Sequence, residues 1–127
     1  MSIYTATTEG ITVTATPIYL DGQSDIIRKK FVFAYFIRVA NHTPEPVQLM
    51  RRHWFIFDSN GKVKEVEGEG VVGQQPRILP GKVHEYNSVC ILESFEGAME
   101  GTYLMRRESG AEFPITIPKF ILRAAAN

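Results

Sequence analysis

Strict two-residue alternation, broken at short intervals by glycine and proline, limits most strongly what this chain can become. From Ile11 to Tyr19, Ile11, Val13 and Ala15 alternate with Thr12, Thr14 and Thr16, the pattern of a strand with one face covered. Pro17 lacks a backbone donor, so this strand is expected at a sheet edge or with a bulge. Asp21 to Asp25 then forms a loop. Lys30 to Ala40 is apolar on both parities, with Phe31, Phe33, Tyr35, Ile37 and Val39 against Val32, Ala34 and Phe36. That pattern predicts a central strand covered on much of both faces. After the loop Asn41-His42-Thr43-Pro44-Glu45-Pro46, Val47 to Asp58 is a third strand. Ser59-Asn60-Gly61 turns it back, the Asn-Gly pair supplying two positive-φ positions, into a short solvated strand from Lys62 to Glu67.

Gly68 to Leu79 carries three glycines and a proline and is expected to be an irregular loop. Lys82 to Leu92 is the next strand and Ser94 to Glu100 a connection. Gly101 to Arg107 and Ala111 to Ile117 form a hairpin, and Phe120 to Leu122 adds a last segment. Helical periodicity is absent throughout. About seven antiparallel strands at this spacing predict an all-β fold, a two-sheet sandwich of immunoglobulin or fibronectin-III type, with Trp54 as its core anchor.

The chain has 127 residues, which fits one domain over residues 1–127, with about 6,800 Å² exposed when folded. Hydrophobic residues make up 44%, too many for a disordered chain, and 14 bases balance 14 acids. The balance gives no global attraction to nucleic acid or to a membrane. A single cysteine, Cys90, excludes an internal disulfide and any four-cysteine zinc site. The segment Met1 to Thr7 lacks the basic start and apolar run of a secretory signal, so a cytoplasmic location is expected.

Four features could carry chemistry. Gly68-Glu69-Gly70-Val71-Val72-Gly73 matches the G-x-G-x-x-G pattern that binds pyrophosphate when it opens a helix after a strand. No helix can follow here, because Gln74-Gln75-Pro76-Arg77 does. Glu65, Glu67 and Glu69 flank the glycines, and residues 62–101 carry four bases and seven acids. A glycine-rich sandwich loop is the plainer reading. Arg51-Arg52-His53 is the densest local cation cluster, with Arg51 and His53 on one face of a strand and Arg52 on the other beside Trp54. It reads as an anion or partner contact, or as a solvated face with one stacked arginine. Glu65, Glu67 and Glu69 share a parity and suit a hard divalent cation, or a charged edge that prevents aggregation. His42, His53, His84 and Cys90 lack the close spacing of a zinc site. Cys90, between Val89 and Ile91, is expected to be an inert buried thiol. No nucleophile–base set is legible.

Arg52-His53-Trp54, the run from Gly68 to Pro76 and Gly97-Ala98-Met99-Glu100-Gly101-Thr102-Tyr103 stand in order and together resemble the ApaG family. Phe31-Val32-Phe33-Ala34-Tyr35, Pro80-Gly81 with Tyr86 and Cys90, and Ile117-Pro118-Lys119-Phe120 extend the resemblance from about Tyr4 to Leu122. Arg51 and Val89 depart from it, where a small polar residue and a glycine are usual. The resemblance implies a fibronectin-III-like sandwich, a gene neighbourhood shared with a diadenosine tetraphosphate hydrolase, and a link to cobalt and magnesium tolerance. Related domains in eukaryotic F-box proteins and a DNA polymerase-interacting protein look like protein-interaction modules. No catalytic residues come with it, and its pyrophosphate site maps to Gly68, Gly70 and Gly73.

The expected function is therefore a non-catalytic binding module without a cofactor, its partner another protein or a further copy of itself. The alternative is a sensor of nucleoside polyphosphate, pyrophosphate or divalent metal. Its ligand residues would be Gly68, Gly70 and Gly73, with Arg51, Arg52, His53 and the three glutamates.

Overall fold

The structure is a computed structural model that describes residues 2–125. Its elements are β1 (Tyr4–Thr8), β2 (Ile11–Tyr19), a 3-10 turn (Asp21–Gln23), β3 (Phe31–Asn41), β4 (Val47–Asp58), β5 (Val63–Glu69), β6 (Arg77–Ile78), β7 (Val83–Leu92), β8 (Glu96–Arg107) and β9 (Glu112–Arg123). One sheet has the order β1-β2-β3-β7 and the other β5-β4-β8-β9, every pairing antiparallel. Short β6 pairs with the start of β4, on the side where β5 pairs farther along. The two sheets stack as a sandwich, and 7067 Å² of surface remains exposed, close to the area expected of the chain's mass.

The two layers meet through the alternating apolar residues. Ile11, Val13 and Ala15 of β2 and Phe33, Ile37 and Val39 of β3 face Trp54, Tyr103, Ile115, Ile117 and Phe120, all buried in one core. Trp54 is 3% exposed and its indole meets the rings of Tyr35, Tyr103 and Phe120 edge-on at 5.4, 6.3 and 5.9 Å, the last two near-perpendicular. β1 and β2 pack on β9, which closes one side of the sandwich; the Thr116 N–H donates to Thr8 Oγ1 across it. At the other side the sheets end in β7 and β5, each paired on one flank only.

Several expectations need correction. Nine strands stand among the described residues where about seven were expected, the additions being β1 and β6. β1 is a run of threonine and alanine too polar to announce itself, and β6 has two residues. β8 begins at Glu96, inside the expected connection. β9 is continuous from Glu112 to Arg123, and the break expected before Phe120 is a register shift opposite Met99 and Gly101, where Pro118 has no N–H to pair. Only Gly61 of the Asn60-Gly61 turn has positive φ (92°). Pro17 pairs with Tyr35 but lies past the end of β1, which reaches only Ala15. The proline thus sits where β2 becomes an edge. β3 is central, yet its second face is only partly covered: Phe36 is 44% exposed.

Candidate functional site

The G-x-G-x-x-G segment is an excursion in an edge strand. β5 runs along β4 as far as Glu69, the chain leaves, and it returns to the same flank of β4 as β6. β4 carries a bulge at this place, its register against β8 shifting between Leu49 and Arg51. The bulge reverses the facing of β4: Val47 and Leu49 point into the core before it, Trp54 after it.

The bulge and the glycine segment hold each other. The Met50 carbonyl accepts from the Gly70 N–H (2.9 Å) and the Gln75 side-chain amide (3.0 Å), and Leu49 N–H donates to Pro76 O (3.0 Å). Arg52 reaches back from the inward face and donates through one guanidinium nitrogen to the carbonyls of Glu69 (3.0 Å) and Gly70 (3.1 Å). Gly68 lies against that guanidinium, where a Cβ would come within 2.9 Å of it. Gly70 has φ +64°, and a Cβ there would overlap the Gln74 carbonyl. Val71 and Gln74 exchange their N–H groups in a tight turn, and the Val71 side chain is buried. Gly70, Val71 and Gln74 have therefore spent their N–H groups inside the protein, and no helix follows to add its dipole. The loop is built as a clasp on β4, without free donors at these positions to cradle a phosphate.

The cation cluster divides as strand geometry requires. Arg52 serves the clasp. Arg51 and His53 stand on the outer face of the five-stranded sheet, opposite Glu69 and Glu67 of β5 in the register. His53 Nε2–H donates to Glu65 at 2.6 Å and lies 3.6 Å from Glu67, with its ring 4.7 Å from that of Phe55. His53, Glu65 and Glu67 place one ligand atom each within 4.8 Å of one another. Glu69 is not part of this set. His42, His84 and Cys90 join no such group among the described residues. Cys90 is buried in β7, and loss of solvation pushes its thiol up to about 11.

Behind Arg52, three tyrosines cross the sandwich. Tyr86 of β7 and Tyr103 of β8 share a hydrogen bond between their hydroxyls, and Tyr35 bonds Ser88. Burial raises all three phenols above their ordinary value, outweighing the opposing pull of the Arg52 charge. They stay neutral in neutral solution, and the Tyr86–Tyr103 bond ties β7 to the opposite sheet.

One surface was not expected from the chain. On the outer face of the four-stranded sheet, Phe36 of β3 stands with Val89 and Ile91 of β7, which are 58% and 45% exposed. Ala34 pairs with Val89 and Val32 with Ile91 in the register, so the apolar positions are contiguous across two strands. Thr14, Thr16, Arg38, Glu85 and Asn87 line a shallow depression beside Phe36. The signal for it lies in the two-parity apolar run of β3, which predicts cover on both faces without saying what supplies it.

An ApaG domain matches residues 21–107. The chain is 46% identical over 120 residues to the protein ApaG of Brucella suis, across 94% of this chain and 92% of that one. Over the same shares it is 48% identical to the protein ApaG of Paramagnetospirillum magneticum. A crystal structure of the ApaA protein from Bordetella pertussis superimposes with a TM-score of 0.87 at 44% identity, covering 89% of this chain and 92% of that one. An X-ray structure of a structural-genomics target gives 0.84 at 39% identity over 90% and 86%.

Proposed function

The chain belongs to the ApaG family, and from that premise we propose that it is a non-catalytic cytoplasmic binding module that takes an extended segment of a partner protein on the β3–β7 face. One observation carries this reading. β3 has the apolar pattern of a strand covered on both faces, while Phe36, Val89 and Ile91 stand uncovered beside a strand with a free backbone edge. A partner strand paired along β7 would gain main-chain hydrogen bonds, and the remainder of the partner lying over the outer face would bury these side chains, with the polar rim limiting orientation. No helix among the described residues is long and apolar enough to cross a membrane. Affinity capture with the purified chain, followed by mass spectrometry, tests the proposal. Wild type should recover a defined set of proteins that Phe36→Ser/Val89→Lys loses and Glu65→Gln keeps; equal recovery by both variants would remove the β3–β7 face from consideration.

His53, Glu65 and Glu67 favour a second reading, a low-affinity divalent cation site of the kind the family's link to cobalt and magnesium tolerance suggests. An imidazole with two carboxylates suits Co²⁺ better than Mg²⁺, which prefers oxygen ligands alone. Calorimetry should then give cobalt heat that His53→Ala abolishes. The polyphosphate arm of the sensor reading lacks support from the glycine segment, whose N–H groups at Gly70, Val71 and Gln74 are engaged.

A further inference from the structure

The connection between β2 and β3 ends in a tip that breaks the usual rules for turns. Its base is held firmly: Leu20 N–H donates to Val32 O at 2.8 Å, Val32 N–H to Ser24 Oγ at 3.0 Å, and that hydroxyl to Leu20 O at 2.8 Å. Asp25 and Lys30 then exchange N–H···O bonds of 2.8 and 2.9 Å and close a four-residue loop, Ile26-Ile27-Arg28-Lys29. Such loops ordinarily carry glycine, asparagine, aspartate or serine. Here two isoleucines occupy the apex, 65% and 95% exposed, and Lys29 holds φ +56° without being glycine. Arg28, Lys29 and Lys30 follow directly, all exposed. Residues 25–30 carry three bases and one acid, a local net charge of +2 in a chain of net charge zero.

The apolar surface continues on the same end of the sandwich. Lys29 lines one hollow with Phe31 and Phe95, in which Lys62 is ion-paired to Glu93 at 2.6 Å. Phe95 is 54% exposed, its ring 6.5 Å from that of Phe31. The Asp25 carboxylate accepts from the Arg28 N–H at 3.2 Å and lies 3.6 Å from its guanidinium, and Lys29 N–H donates to Ile26 O at 3.1 Å. A turn whose backbone is held this way yet leaves two isoleucine side chains exposed at its apex marks a functional element.

We infer that this tip docks on the surface of an anionic phospholipid bilayer, Ile26 and Ile27 entering the headgroup–acyl boundary and Arg28, Lys29 and Lys30 meeting lipid phosphates. The shape decides between a bilayer and an acidic protein. The tip is convex, with its aliphatic side chains at the apex and its cations just below them. That order matches the depth profile of a bilayer, apolar beneath charged headgroups. The apex itself, four residues closed by the Asp25–Lys30 bridge, is too short to fix the register of a protein partner. Two isoleucines and three cations give reversible, salt-sensitive binding, since stable anchoring takes more.

Co-sedimentation of the full chain with vesicles of phosphatidylcholine alone, and with about a third phosphatidylserine, tests this. Binding is expected on the anionic vesicles only, falling at high salt. Ile26→Ser/Ile27→Ser should lower partitioning about tenfold, and Arg28→Glu/Lys29→Glu at least as much, at about fivefold for each cation lost. Both sites are exposed and the Arg28–Asp25 pair is a surface one, so the melting temperature should fall by no more than a few degrees. In Ile27→Trp the new indole emission should shift to the blue on anionic vesicles, while buried Trp54 supplies a constant background. Absence of binding above the phosphatidylcholine level would overturn the proposal, as would binding indifferent to the isoleucine substitutions or an unshifted indole. Tip-dependent binding of polyglutamate with none to vesicles would assign the tip to an acidic protein instead and equally overturn it.

Discussion

Two neighbouring residues in the glycine segment show how local backbone and local contact set opposite costs. Val72 holds φ +47°, where a β-branched side chain costs about 1–2 kcal/mol, and its side chain is exposed. Replacing it with glycine removes that strain and adds chain entropy in the unfolded state, about 0.5–1 kcal/mol. Val72→Gly should therefore be neutral to stabilising by up to about 1 kcal/mol, measured by urea denaturation. Gly70→Ala should do the reverse: its φ is also positive and the added carbon meets the Gln74 carbonyl, so a loss of about 1–3 kcal/mol is expected. If Gly70→Ala keeps full stability, the clasp on β4 is not what the glycine is for. Cys90 supplies a pH dependence at the same scale. Its folded thiol sits at about 11, above its ordinary value of 9.0, because burial disfavours the thiolate. The unfolded chain thus releases this proton first, and stability falls as pH rises from about 9 towards 11, while below 9 the group contributes no slope. The three raised tyrosines act in the same direction at higher pH. A Cys90→Ala variant should lose part of the alkaline slope, and a thiol reagent at pH 8 should label wild type only as fast as the protein opens.

Among the elements, those that bury one continuous face were legible from spacing alone. β2 and β4 begin and end where the alternation and its flanking turns predict, and Trp54 anchors the core from the third predicted strand. What spacing could not give was anything set by a partner strand. β1 is held by pairing with β2, β6 by two residues of β4, and the early start of β8 by Gly97 and Gly101, where a side chain would run into the backbone of β4 at Phe57 and His53. The division of Arg51, Arg52 and His53 between faces was legible, because it depends only on parity past the bulge. The clasp was not, because it depends on the bulge itself, one extra residue at Met50 that no local pattern announces. Gly101 lies opposite Trp54 in the β4–β8 register, so removing the indole and adding bulk beneath it test one contact from two sides. Trp54→Ala should cost about 3–5 kcal/mol, and Gly101→Val should disrupt the β4–β8 pairing as severely, both read as losses of melting temperature. A mild effect from Gly101→Val would mean that β8 can slide away from β4 without loss of the core.

At the scale of the whole molecule, the sandwich has one sealed side and one open side, and its two open edges are treated differently. β5 presents Glu65, Glu67 and Glu69 with Lys64, all exposed, a charge density that repels another strand. β7 presents Val83, Val89 and Ile91 on its outer face with a single acid, Glu85, among the five outward positions. The molecule therefore closes one edge electrostatically and leaves the other able to accept a strand. Glu65→Thr/Glu67→Thr/Glu69→Thr keeps the strand and removes the repulsion. This variant should form dimers and larger species in light scattering behind size exclusion at concentrations where wild type elutes as a smaller species. The same substitutions delete the cation ligands, so the two roles separate by experiment. If the triple variant keeps the wild-type size at every concentration, edge protection is not the task of these carboxylates. If His53→Ala then removes cobalt binding without changing size, the face formed by His53, Glu65 and Glu67 is a ligand site in its own right.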